Sequence, residues 1–135
     1  MQVQAAAKAV IQDDDGAVLL LRRSTPYVGQ TNLIWDIPGG RLDAGESLEE
    51  TLRRELREET ALELQELGPV FHVKDFIIDA EGIHVVRITF AAKATGTIKL
   101  SHEHVEHRWV PRAELPLPDT AIHFVEALQT NGWVD

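Results

Sequence analysis

Apolar and polar positions divide the chain into recognisable segments. Ala5 to Gln12 is small and apolar, Asp13-Asp14-Asp15-Gly16 interrupts it, and Ala17-Val18-Leu19-Leu20-Leu21 resumes it. Two apolar runs around an Asp-Gly turn predict a β-hairpin. Residues 24–33 read as a polar loop with Pro26 and Gly29. Ile34-Trp35-Asp36-Ile37 reads as a short strand that ends at Pro38-Gly39-Gly40. Residues 46–60 contain strong helix formers and neither Gly nor Pro, which predicts a helix. Phe71 to Ile78 and Ile83 to Ala92 predict a strand pair turning at Asp79-Ala80-Glu81-Gly82, and His107-Arg108-Trp109-Val110 a further strand closed by Pro111. A second helix is expected over Thr120 to Gln129, about 119–130, with Asp119 as its N-cap. Strands with two separated helices predict an α+β domain with a central mixed sheet. No internal repeat or linker divides the chain, so one domain over residues 1–135 is expected.

Composition narrows the function classes. The chain is 44% apolar and 26% charged, typical of a globular protein. It has no apolar run long enough for a membrane span, and Met1-Gln2-Val3-Gln4 does not begin a signal peptide. Cysteine is absent, which excludes disulfides, thiolate metal sites and a cysteine nucleophile and fits a cytoplasmic location. The formal net charge of −9 disfavours binding to duplex nucleic acid. The same charge would repel a nucleotide, so an acidic enzyme acting on phosphates needs metal ions or a few placed arginines.

The predicted helix puts charges on its apolar side. At about 100° per residue, Leu48, Leu52 and Leu56 form one stripe. Glu59 falls within that stripe, Glu55 at its edge and Glu58 one step further round. Arg53, Arg57 and Glu50 lie opposite. Three carboxylates thus gather at the helix C-terminus, where they repel one another and oppose the helix dipole. A divalent cation is one remedy, and oxygen donors without cysteine suit Mg²⁺ or Mn²⁺. A solvated helix with pairs such as Glu50–Arg54 is the other reading of the same wheel.

The wider spacing favours the metal. Gly40, Glu46 and Arg54-Glu55-Leu56-Arg57-Glu58-Glu59, followed by Leu62, resemble the signature of the Nudix hydrolase family, G-x5-E-x7-R-E-U-x-E-E-x-G-U with U a bulky aliphatic residue. The one departure is Ala61, where the pattern has Gly. Trp35-Asp36-Ile37-Pro38-Gly39 before it also resembles the family. The resemblance implies an α/β/α sandwich and hydrolysis of a nucleoside diphosphate linked to another group, by attack of water on phosphorus with divalent ions. It implies that Glu55, Glu58 and Glu59 coordinate metal and that Glu58 or Glu59 positions the water. Arg54 would orient a glutamate, Glu46 would open the helix, and Gly39 and Gly40 would bring backbone, with a carbonyl, close to the metal. Arg22, Arg23 and Arg41 are candidate phosphate contacts, and a small-molecule nucleotide is the implied partner. Many members dimerise, which leaves a homodimer open.

Ser101-His102-Glu103-His104-Val105-Glu106-His107 reads as a loop entering a strand. Glutamates of this region join the metal site or act as general base in many family members, and Glu103 is the preferred candidate, Glu106 the second. His102-Glu103 begins like the zinc motif H-E-x-x-H, but residue 106 is Glu and the segment is not helical in pattern, so zinc is disfavoured. His72, His84 and His123 are expected to be structural. Trp35 and Trp109 are expected chiefly in the core, with Trp35 the better candidate for stacking on a substrate. The chain lacks a Ser-Gln-Pro-Trp stretch, a coenzyme A type block, a proline near 76–78 and a tyrosine near 78–81. Nucleoside triphosphates, including oxidised or non-standard ones, remain the default substrate. The alternatives are ADP-ribose, nucleotide sugars or dinucleoside polyphosphates, a non-catalytic nucleotide-sensing module, or an acidic interaction domain.

Overall fold

Each of the two N-terminal apolar runs feeds two separate cores. The first run is strand β1 (Gln2–Ile11) and the second is β2 (Val18–Arg23). Ala7, Ala9 and Ile11 of β1 and Leu19 and Leu21 of β2 enter one core, with Leu52 and Leu56 of helix α1 (Leu48–Thr60). Val10, Val18 and Leu20 point the other way into a second core, with Phe124, Ala127 and Leu128 of helix α2 (Ile122–Thr130). Successive strand residues face opposite sides, so a strand covered on both sides has no polar alternation. The computed structural model describes residues 1–26 and 31–135, and Gly29 of the expected polar loop lies outside the described residues.

The remaining strands are β3 (Trp35–Asp36), β4 (Gly39–Arg41), β5 (Glu63–Ile78), β6 (Ile83–Thr95) and β7 (His104–Val110). They form a four-stranded sheet in the order β4-β1-β6-β5 and a three-stranded one in the order β3-β2-β7. The first is mixed: β1 runs parallel to β6, while β4 and β5 pair antiparallel to their neighbours. The second is antiparallel. The expected α+β architecture with a mixed sheet and two helices holds.

Three local expectations are corrected. The Asp-Gly turn forms, with Asp13 Oδ1 accepting the Ala17 amide at 2.9 Å, but the runs do not make a hairpin. Only the Gln12–Val18 bridge joins them before each enters its own sheet, where other elements cover both of its apolar faces. The strand at Trp35–Asp36 ends before Pro38 as expected, and the chain then crosses into the other sheet, where Gly39 to Arg41 pairs with Ala6 to Lys8 of β1. Asp119 is not the α2 N-cap. It has φ +61°, its carbonyl accepts the Trp35 amide and Trp35 O accepts the Ala121 amide, so strand-like pairing delays the helix to Ile122. Trp109 is exposed on β7 and lies outside both cores.

Helix α1 starts at Leu48, two residues after Glu46. Ser47 is its N-cap and forms a capping box with Glu50, so Glu46 lies just before the helix and Glu50 does not pair with Arg54. Leu48, Leu52 and Leu56 form the expected apolar stripe. The helix ends at Ala61 with φ +64°, the left-handed cap that glycine adopts at less cost. We expect Ala61→Gly to stabilise the fold by about 0.5–1 kcal/mol. Thermal unfolding followed by circular dichroism should show a midpoint higher by about 3 °C; a lower midpoint would show that the left-handed cap carries no strain.

Candidate active site

The α1 carboxylates meet three other segments at the helix C-terminus. The orphan carbonyls of the last turn recruit the 99–101 segment: the Lys99 amide donates to Thr60 O and the Ser101 amide to Glu59 O. This backbone capping brings Glu103 and His104 over the end of α1. From the other side, the Pro38-Gly39-Gly40 turn passes under the helix. The Gly39 amide donates to Glu59 Oε1 at 2.9 Å. Gly39 has φ +137°, and a Cβ there would fall 2.7 Å from Lys8 Cα. A Cβ on Gly40 would fall 2.7 Å from the Glu55 carboxyl carbon. Backbone atoms of β1 exclude any other residue at position 39, whereas a side chain at position 40 would displace the Glu55 carboxylate.

Burial grades the carboxylates. Glu59 is only 6% exposed, and burial pushes its pKa up to about 8, with Lys8 and the Gly39 amide opposing the rise. Glu55 is half-buried. Desolvation raises its pKa, Arg54 pulls it down, and the charges of Glu58 and Glu103 raise it further. Glu58 is exposed at the helix surface. Glu103 is exposed too, but its charge is felt at both Glu55 and Glu59, so it stands beside the cluster. Glu106 instead pairs with Arg22 at 3.0 Å.

Arg54 organises the acids. Its Nε donates to Glu46 Oε2 at 2.8 Å and its Nη1 to Glu55 Oε1 at 2.9 Å and Glu58 Oε2 at 3.3 Å, while Nη2 reaches Glu46 Oε1 and Arg41 O. The Arg54 guanidinium holds the Glu46 pKa down to about 2, helped by the Asp43 amide. The guanidinium itself is held more firmly protonated by Glu46 and Glu55.

Four contributors were not singled out as site residues in the sequence. Lys8 Nζ donates to Ile37 O at 3.1 Å and to Asp36 Oδ2 at 3.3 Å. Asp36 is buried. Burial alone would raise its pKa, but Lys8, His123 and the Ile37 amide outweigh that and hold it well below the usual range. His123, expected to be structural, links α2 to β3 through a 2.8 Å contact between Nε2 and Asp36 Oδ1. His104 Nε2 lies 3.9 Å from Glu59 Oε2, and burial followed by the Lys8 charge depresses its pKa, so it is neutral at pH 7. One signal was legible: Lys8 and Asp36 are charges inside apolar runs.

The expected substrate contacts are distributed differently. Arg41 turns away to a bidentate pair with Glu81, at 3.0 and 3.3 Å. Arg22 is held by Glu106. Arg23 lies opposite His104 at the end of β2, and its charge is felt there. Trp35 is 7% exposed inside the second core, with the Arg22 and Arg108 guanidinium groups each 5.9 Å from its ring centre, so it is core rather than a stacking platform. An open cavity of about 650 Å³ lies against α2, lined by Asn32, Phe76, Arg87, Asp119, Thr120 and His123 among others. Arg87 sits 4.5 Å over the Phe76 ring, and Asn32 donates to Asp119 Oδ1 at 3.0 Å.

A buried carboxylate at the end of a Gly-Gly turn, with further acids on one helix and an arginine among them, defines an oxygen-donor site. Among the described residues, no three His, Asp or Glu side chains are already gathered around a metal-sized space, because Arg54 occupies the position between Glu55 and Glu58. The NUDIX domain model matches residues 2–128, and the chain belongs to this family. It is 30% identical over 131 residues to the nucleoside triphosphatase NudI of Escherichia coli, covering 88% of this chain and 90% of that one. It is 30% identical over 126 residues to the mouse 8-oxo-dGDP phosphatase NUDT18, covering 87% of this chain but 36% of that protein, so it spans about a third of that relative's length. The crystal structure of a MutT protein from Methanosarcina mazei superposes with a TM-score of 0.80 at 28% identity, over 97% of this chain and 94% of that one.

The raised Glu59 pKa has a consequence for stability. The ordinary value is 4.5 and the folded value is about 8. The stability tied to the protonated form is therefore full below about pH 4.5 and lost as pH rises through about 8. Without divalent ions, Glu59→Gln should be more stable than the parent at pH 9 by up to about 5 kcal/mol and close to it at pH 4. Urea unfolding at the two pH values checks this; equal differences at both would show that Glu59 is not carrying buried charge.

Proposed function

We propose that the protein is a divalent-metal-dependent hydrolase of nucleoside di- or triphosphates. The observation that carries this reading is the buried Glu59, held by the Gly39 amide at 2.9 Å beside Glu55. A carboxylate pushed so far from its ordinary ionisation lacks enough positive charge around it, and all the donors present are hard oxygens. These features fit Mg²⁺ or Mn²⁺ held by Glu55, Glu58, Glu59 and the backbone carbonyls of Gly39 or Gly40, with Glu103 from the 99–103 segment. A bound ion would neutralise phosphate charge and lower the pKa of water.

The chain's own residues supply the rest. Arg54 keeps the helix acids oriented through Glu46. Glu58, Glu59 and Glu103 are the candidates to position the attacking water or to take its proton. Arg23, beside His104, is the best placed of the expected phosphate contacts. The nucleoside end is proposed to seat in the 650 Å³ cavity, where Phe76 offers an aromatic face and Asn32 and Asp119 offer polar edges. The names of two relatives, a nucleoside triphosphatase and an 8-oxo-dGDP phosphatase, support free nucleotides, oxidised purines among them, over nucleotide sugars or dinucleotides.

A screen of nucleoside di- and triphosphates, 8-oxo forms included, with Mg²⁺ and Mn²⁺ tests this. Hydrolysis should require the metal, and Glu58→Gln and Glu59→Gln should each lower kcat by about 100-fold or more. Tight binding without turnover for every nucleotide would leave a sensing module in place of an enzyme. Asp119→Ala should change the kcat/KM ratio between two purine nucleotides by about 10-fold with little change in metal dependence. An unchanged ratio would remove the cavity from substrate recognition.

A further inference from the structure

We infer that Lys8 is a positioning residue for the reaction: its ammonium clamps the Asp36-Ile37-Pro38-Gly39 turn so that the Gly39 amide is delivered to Glu59. Lys8 lies on β1, far in sequence from the helix acids, and its Nζ reaches two points of that turn at once, Ile37 O at 3.1 Å and Asp36 Oδ2 at 3.3 Å. Asp36 is anchored in turn by the Ile37 amide at 2.7 Å and by His123 of α2 at 2.8 Å. The backbone of β1 adds a third tie, with the Ala9 amide donating to Pro38 O at 3.0 Å. Directly after these ties comes Gly39, whose amide meets Glu59 Oε1 at 2.9 Å. The missing Cβ of Gly39 leaves room for Lys8 itself, since a Cβ there would lie 2.9 Å from Lys8 Cδ. The turn is therefore seated on the Lys8 side chain, whose side chain is only 15% exposed. A buried cation bonded to a carbonyl and a carboxylate is costly to break from one side, which makes the clamp rigid.

The inference rests on the reading of Glu59 as a site carboxylate, and its test separates the two. Amide hydrogen exchange by NMR on the full chain reads the Gly39 contact without any turnover. In Lys8→Met, Gly39 should lose protection by about 10-fold or more, while amides of the β5–β6 ladder keep theirs. With nucleotide and Mg²⁺, kcat should fall about 10- to 100-fold with KM within about threefold, the range of residues that orient a site ligand. Lys8→Arg, which keeps the charge and donors, should recover most of both readouts. Asp36→Asn, which keeps the shape but removes the ionic anchor, should share the Gly39 exchange change. Gly39 protection unchanged in both Lys8→Met and Asp36→Asn overturns the clamp, as does a uniform loss across the β5–β6 ladder, which would make Lys8 a general support of the fold. Failure of Glu59→Gln to affect hydrolysis would instead overturn the site reading and leave the exchange result standing.

Discussion

The hydrogen bond from the Gly39 amide to the buried Glu59 carboxylate joins the segments that form the candidate site. It fixes the last turn of α1 against the turn that leads from β3 into β4. That turn can lie so close to β1 because residue 39 lacks a side chain, and Gly40 leaves the Glu55 carboxylate its place. The same helix end leaves carbonyls to be satisfied, and the 99–101 backbone satisfies them. One local need thus recruits Glu103 and His104 from a distant part of the chain.

An acidic protein proposed to act on phosphates has to control its own charge. Here each cation near the acids has a defined place. Arg54 spans Glu46, Glu55 and Glu58 at hydrogen-bond distance, and Lys8 serves the turn beneath Glu59. The excess of carboxylate over cation is concentrated at Glu59, where burial leaves the charged form unfavourable. Arg22 and Arg41 are neutralised by exposed glutamates instead, Glu106 and Glu81. Their sequence positions beside the second apolar run and the Gly-Gly turn give no sign of this, because strand pairing sets which way they point.

Legibility in the sequence followed the range of the interactions. The α1 stripe of Leu48, Leu52 and Leu56, with Glu59 inside it, was readable because a helix repeats over a few residues. The β5–β6 pair was readable for the same reason, with its turn at Asp79 to Gly82. The Asp-Gly turn does not make β1 and β2 a hairpin, because the turn is a local signal and the choice of strand neighbours is not. Asp119 had the chemistry of an N-cap, but the backbone of Trp35 held Asp119 and Ala121 in a bridge and displaced the helix start. Trp109 had the composition of a core residue and lies instead on an exposed edge strand.

By itself, the sequence determined the helix, the spacing of its acids, the glycine pair and the family to which the chain belongs. These are matters of residue identity at short separation, set by helical periodicity and by the absence of Cβ atoms. Tertiary structure alone decided which acids are buried, which arginines are already paired, and that Lys8, Asp36 and His123 form a chain beneath the site. Desolvation and ion pairing depend on what lies across space, and β1, β3 and α2 meet only when the two cores close around them.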